Sequence, residues 1–181
     1  MIYTDRLILR PWKEEDLAPY AAMNADPRVR EYFPGVLTTE ESYAEVRRFQ
    51  QRFRKEGFGL LTAELRSEQT CIGFIGMQTM SFAVPSLPQP AVEIGWRLAA
   101  PFWGQGLATE GARAVLRHAF DVAGLEQVVG IAAHANVRSL RVMERLGMKH
   151  VPELDFDHPR IAEGHPLRAT VLYRITREMY A

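Results

Sequence analysis

Hydrophobic positions change period several times along the 181 residues, and each change marks an element. Arg6–Arg10 (RLILR) predicts a first strand. Glu14–Asn24 predicts a short helix, with Pro19 tolerated in its first turn. Thr38 and Glu41 form a capping-box pair. Behind them Tyr43, Val46, Phe49 and Phe53 recur at helical spacing, so a helix runs to about Glu56 and stops at Gly57. Period-two alternation predicts a hairpin from 58–65 and 71–79 about the polar turn Arg66–Gln69. It predicts a third strand at 91–98, where Val92, Ile94, Trp96 and Leu98 share one face and Ala91, Glu93, Gly95 and Arg97 the other. The stripe Ala108, Ala112, Val115, Leu116, Ala119, Phe120 and Ala123 predicts an amphipathic helix closed by Gly124. Val128–Ala133 reads as a buried strand and Asn136–Leu146 as a helix closed by Gly147. Two last strands lie near 147–152 and 168–176, joined by a long polar loop. Pro85–Pro90 (PSLPQP) reads as a loop between strands, because proline cannot donate to a ladder. The order β-α-α-β-β-β-α-β-α-β-β predicts an α+β (mixed α/β) fold in one domain, residues 1–181.

Composition narrows the classes. With 47% hydrophobic and 24% charged residues the chain is neither disordered, collagen-like nor a coiled coil. Lys+Arg and Asp+Glu are both 22, so no broad field exists for a polyanion, and neither nucleic acid nor a membrane surface is an expected partner. One cysteine allows no internal disulfide and fits a reducing compartment. The charged start MIYTDRLILR does not read as a signal peptide, and no apolar run approaches the ~20 residues of a membrane span. A cytoplasmic monomer or homodimer is the expectation.

Candidate chemistry concentrates in Pro101–Glu110 (PFWGQGLATE). A strand ends near Leu98, a turn carries Gly104 and Gly106, and a helix starts at once. Such a turn aims unpaired N–H groups at one point, at the positive end of a helix, and would seat a diphosphate; an ordinary strand–helix turn with small residues is the alternative. A P-loop lysine is missing, since Leu107 and Ala108 follow Gly106, and a dinucleotide fingerprint lacks its third glycine, with Thr109 in that place.

The segment Gly104-Gln105-Gly106-Leu107-Ala108-Thr109-Glu110 resembles the acyl-CoA pyrophosphate loop of GNAT N-acetyltransferases. Asn136-Val137-Arg138-Ser139, followed by Glu144-Arg145-Leu146-Gly147-Met148, is similar to that family's second motif. Arg6-Leu7-Ile8-Leu9-Arg10-Pro11, Trp103-Gly104-Gln105-Gly106 and Leu172-Tyr173 resemble the RimJ/RimL-like branch, which includes ribosomal-protein N-terminal acetyltransferases. The resemblance implies a central, mostly antiparallel twisted sheet of about seven strands with helices on both faces. It also implies acetyl-CoA as cosubstrate, no metal, and a primary amine as acceptor. Coenzyme-binding residues carried over with it are Trp96, Leu98, Trp103, Gly104, Gln105, Gly106, Leu107, Ala108, Thr109, Asn136, Ser139 and Arg145. Two positions depart from the family pattern. Trp103 stands where an Arg or Gln is usual, and Met143 where many members carry a tyrosine that protonates the leaving thiolate.

The reaction implied is direct attack of a neutral amine on a thioester, so catalysis rests on positioning and on moving two protons. Ser139 is the candidate for protonating the sulfur, and a backbone N–H near Leu98 for polarising the carbonyl. Asn136 reads either as a helix N-cap or as a holder of the pantetheine amide. Arg145 reads either as a partner of the 3′-phosphate or as a solvated helix charge. Glu93 and His158 are both candidate bases. The segment Val151–Pro166, with two Asp, two Glu and two His, is expected to be a loop beside the thioester giving the acceptor site a mildly acidic rim. His150, His158 and His165 lack the spacing of a metal site, and Cys71 reads as core. An N-acyltransferase acting on a protein N-terminus or a small amine, and a non-catalytic acyl-CoA sensor, are the functions that fit.

Overall fold

The structure is a computed structural model and describes residues 1–180. The alternating segments form β2 (Leu7–Arg10), β3 (Leu60–Leu65), β4 (Thr70–Thr79) and β5 (Val92–Leu98), with the two-residue β1 (Ile2–Tyr3) before them. Beyond them lie β6 (Gln127–Ala133), β7 (Lys149–His150), β8 (Phe156–Asp157) and β9 (Ala169–Thr176). One sheet of nine strands holds them in the order β1-β2-β3-β4-β5-β6-β9-β7, with β8 also on β9. Every pairing is antiparallel except β5 with β6. The two strands beyond the expected seven are β1 and β8, which are too short to show a period. The polar loop expected after 152 holds β8, whose Phe156 and Asp157 pair with Thr170 and Ala169.

Helices α1 (Leu17–Asn24), α2 (Thr39–Glu56), α3 (Leu107–Asp121) and α4 (Val137–Arg145) cover both faces, and a short α5 (Arg177–Tyr180) follows β9. On the side of α1 and α2 an aromatic layer joins Phe74 of β4 to Tyr20 of α1, Phe49 of α2 and Trp12 after β2. Against α3 and α4 the sheet presents Leu7, Leu9, Ile75, Ile94 and Val128, which meet Leu116, Phe120 and Met143. Phe74 and Ile75 are neighbours on β4 and point to opposite layers, as the pleat requires. The cap expected on α2 is present: Glu41 N donates to Thr38 Oγ1 at 3.2 Å and Thr38 N to Glu41 Oε2 at 2.8 Å. A buried ion pair ties β2 to the turn before α1, and β3 joins it through Thr62. Arg10 donates through both Nη atoms to Asp16 at 2.7 and 2.8 Å, and Thr62 Oγ1 donates to the same carboxylate at 3.0 Å.

The irregularity that matters for function lies between β5 and β6. One aligned pair joins them, Glu93 with Val129, and the strands part beyond it.

Candidate active site

The parting leaves a cleft of about 820 Å³, walled by Ile94–Leu98 on one side and Ile131–Ala133 on the other. Which backbone groups face it follows from the ladder. Ala99 N donates to Ile72 O and Ala91 O accepts from Met80 N, so the odd-numbered residues of β5 bond to β4. The N–H groups of Ile94, Trp96 and Leu98 therefore point toward β6. Glu93 and Val129 being the last aligned pair, those of Trp96 and Leu98 face open cleft. The Leu98 carbonyl is occupied, accepting from Trp103 Nε1 at 2.7 Å.

At one end of the cleft the chain turns into α3. Gly104 and Gly106 have φ of +74° and +77°, in the left-handed region where a side chain is strained. Gly106 is the N-cap, so no side chain caps α3, and its first-turn amides are free to meet an anion. The acidic residue in that turn, Glu110, is held away from them. It accepts from Thr4 Oγ1 at 2.6 Å, Arg6 N at 2.9 Å and Arg6 Nε at 2.7 Å. Partial burial works against its ionisation, but these bonds outweigh it and keep the carboxyl below its ordinary range. Arg6 Nη1 also donates to Gln105 O at 2.9 Å, and Gln105 Nε2 to Pro101 O at 3.0 Å, so the loop is braced from behind. Gly104, Leu107, Ala108 and Thr109 line the cleft, whereas the Gln105 side chain turns onto Pro101.

Helix α4 closes the opposite wall. Asn136 caps it, its Oδ1 accepting from Ser139 N at 3.2 Å, and both residues line the cleft with Met143 and Arg145. Arg138 reaches across: its guanidinium lies 4.6 Å from the Trp103 ring centroid and pairs with Glu31 from the segment after α1. Met143 is 1% exposed and belongs to the core as well as to the cleft floor.

At the other end stand the two candidate bases. Glu93 lines the cleft and accepts from Gln78 Nε2 at 2.8 Å, its partner across the β4–β5 ladder. Burial pushes its carboxyl above the ordinary value; the Gln78 bond and the more distant Arg52 and Arg160 oppose this without cancelling it. His158 lines the same space and packs edge-on against Phe82 at 5.0 Å. Its Nδ1 accepts from Arg160 N at 3.2 Å, which places the proton of the neutral ring on Nε2. Burial and Arg160 both lower its proton affinity. Deeper in, Arg97 Nη1 donates to Tyr20 OH, Asn24 Oδ1 and Glu45 Oε2 at 3.1, 3.1 and 3.0 Å.

Residues 6–149 match the acetyltransferase (GNAT) domain family. The chain belongs to the GNAT family. An Aspergillus fumigatus relative, FsC-acetyl coenzyme A-N(2)-transacetylase, is 32% identical over 190 residues, covering 98% of this chain and 76% of its own length. A GNAT-family acetyltransferase from Bacillus anthracis superposes with a TM-score of 0.79 at 26% identity, covering 98% of both chains. Mycobacterium smegmatis RimJ, solved in complex with CoA-disulfide, shares the fold with a TM-score of 0.77 at 17% identity, over 98% of this chain and 87% of its own. The protein is an acetyl-CoA-dependent N-acetyltransferase.

Of the positions the sequence suggests for a GNAT acetyltransferase, Trp96, Leu98, Trp103, Gly104, Gly106, Leu107, Ala108, Thr109, Asn136, Ser139 and Arg145 line this cleft, as do Glu93 and His158 at the acceptor end, whereas Gln105 does not. Val151–Pro166 does reach the cleft, but through His158, Arg160 and Ile161. The expected acidic rim is absent. Asp155 accepts from His150 Nε2 and Leu172 N, and Asp157 pairs with Arg168. Arg30, Phe33, Glu45 and Arg97 were not anticipated as cleft residues; Arg97 stood only as a face position of its strand, and nothing in the local pattern pairs it with α2. Among the described residues no group of three or more potential metal ligands forms. Burial pushes the Cys71 thiol up to about 12, so it carries no thiolate near neutrality. No described helix is long and apolar enough to cross a membrane.

Proposed function

We propose that this acetyltransferase moves the acetyl group to an α-amino group by direct attack in a ternary complex, in the manner of the RimJ/RimL-like branch. A protein N-terminus is one form of that acceptor. The observation that carries the reading is the parting of β5 from β6 beside a helix start that no side chain caps. The residues present fit acetyl-CoA on that ground. First-turn amides from Leu107 to Thr109, opened by Gly104 and Gly106, meet its diphosphate, and the N–H groups of Trp96 and Leu98 meet its arm. Asn136 keeps Nδ2 for the same arm, since Oδ1 is spent on Ser139 N. Arg145, at the end of α4, lies on the phosphate side, and Trp103 supplies a wall that Arg138 covers.

Acetyl-CoA supplies the acyl group as a thioester. Glu93 takes the proton from the attacking amine, directly or through one water, because burial has raised its proton affinity toward that of the amine. His158, with Nδ1 already accepting and its affinity lowered, serves as a wall of the acceptor space. A cleft N–H of β5 polarises the thioester carbonyl, and Ser139 Oγ returns a proton to the departing sulfur. An α-amino group, with a pKa of ~7.7–8, asks less of Glu93 than a lysine near ~10.4 would.

Two measurements test the proposal. Incubation with acetyl-CoA and a panel of peptides and small amines is expected to release free thiol in step with acceptor; a protein that binds CoA and releases none is a sensor. Gly106→Val is expected to weaken CoA binding at least tenfold in calorimetry while the circular dichroism spectrum is kept, since the loop amides hold the diphosphate and φ at this position suits only glycine. Unchanged affinity in that variant rejects the loop as the coenzyme seat.

A further inference from the structure

The lining of the cleft carries seven arginines against two glutamates. Three of them, Arg138, Arg141 and Arg145, stand on or beside the coenzyme wall in α4. Arg28 is an exposed side chain paired with Asp26 at 2.6 Å. That leaves Arg30, Arg97 and Arg160 at the acceptor end with Glu45 and Glu93. Arg97 takes Glu45 as its partner. Glu93 is held by Gln78 and pairs with no arginine of the cleft.

Arg30 has no carboxylate partner among the described residues, although it is only 8% exposed. Its Nε donates to Gly35 O at 2.7 Å, and its two outer nitrogens have no protein acceptor. Its guanidinium and that of Arg97 lie 4.4 and 4.5 Å from the centroid of one ring, Phe33. Burial and the neighbouring Arg97 work against its charge, and the more distant Glu45, Tyr20 and Glu41 oppose this without cancelling it. A guanidinium keeps its proton regardless, so a poorly compensated cation sits in the cleft wall. Two outer N–H groups in a planar fork, without a protein acceptor and open to the cleft, match a carboxylate in bidentate contact.

We propose that the acceptor amine carries a carboxylate, and that Arg30, backed by Arg97 and the Phe33 ring, receives it. This rests on the transferase reading of the cleft and adds the class of acceptor, a carboxylated amine such as an amino acid or short peptide. Polycationic amines are the class the same charges repel.

The test is calorimetric titration of the CoA-saturated protein with matched pairs: alanine and alaninamide, dialanine and its amide, 6-aminohexanoate and its amide, with spermidine as the polycation. The carboxylate member of at least one pair is expected to bind about tenfold or more tightly than its amide. Arg30→Met is expected to bring the two members of that pair to the same affinity. The same variant is expected to raise the melting temperature of the ligand-free protein by a few degrees, because it removes a buried cation that lacks a counter-ion. A residue that merely braces Gly35 would lower it. Amides or spermidine binding as tightly as carboxylates, no carboxylate-dependent binding in any pair, a preference that survives Arg30→Met, or a lowered melting temperature each overturns the proposal. Thiol release from acetyl-CoA is followed in parallel. A carboxylate preference without thiol release fails the transferase reading and leaves Arg30 as a carboxylate-binding site only.

Discussion

Glu93 shows how one side chain trades stability for chemistry. Burial raises its pKa above the ordinary carboxylate value, so the folded state holds the proton to a higher pH than the unfolded chain does. The sign is fixed by linkage. Relative to a neutral residue, the folded protein is not penalised below the ordinary pKa, and it loses stability as pH rises from there through the raised value. Glu93→Gln keeps the acceptor for Gln78 Nε2 and removes the titration. The variant is therefore expected to melt with the wild type at about pH 4 and above it at about pH 8, by differential scanning calorimetry. Its turnover on a confirmed acceptor is expected to fall by about 10²–10⁴, with the acidic limb of the pH profile lost. An unchanged acidic limb would mean the amine arrives already neutral. The position was legible in the sequence, because alternation along β5 puts Glu93 and Arg97 on one face. Their partners were not. Gln78 lies 15 positions from Glu93, and Tyr20, Asn24 and Glu45 lie 77, 73 and 52 from Arg97. The Gln78 pairing depends on the register of β4 against β5, and the Arg97 pairings on how α1 and α2 dock, which no local period records.

Elements with their own signals were legible to within a few residues. Helix α2 is one, since its cap, its stripe and its closing Gly57 all lie in its own sequence. Short β1 and β8 had no such signal, because they exist through neighbours already in place. The buried knot around Asp16 is of the same kind. Burial alone would raise the Asp16 pKa, but the bonds from Arg10, Lys13 N and Thr62 outweigh it and hold it below the ordinary value. That pair contributes stability above the ordinary carboxylate pKa and loses it as pH falls through the lowered one. Asp16→Ala leaves Arg10 buried with only Glu64 as counter-ion. A loss of about 3–5 kcal/mol is expected in urea unfolding. A loss under about 1 kcal/mol would show that Glu64 compensates Arg10 alone.

At the scale of the molecule, β1–β5 and β6–β9 form two wings that meet along a seam aligned at one residue pair. The coenzyme proposed for the seam touches both, through β5 and α3 on one side and α4 on the other. Binding that requires both wings in place stabilises the folded state by mass action. CoA at a hundred times its Kd is expected to add about 2.7 kcal/mol, visible as a rise in melting temperature. In hydrogen exchange, protection is expected to grow most at Trp96, Leu98 and Gly104–Thr109. Protection spread evenly over the chain would place the coenzyme elsewhere.

Those unpaired groups on β5 have a second consequence, for the protein's behaviour among its own copies. An unfinished strand is ordinarily a hazard, because another chain can add to it and begin aggregation. Here the unfinished stretch faces inward, toward β6 and between the walls made by α3 and α4, and is not an outer edge of the sheet. Outward edges are guarded by different means: β1 and β7 offer only two residues each. The fold can therefore keep open backbone donors ready at all times, with its adhesive surface directed at a slender ligand and away from other molecules of itself.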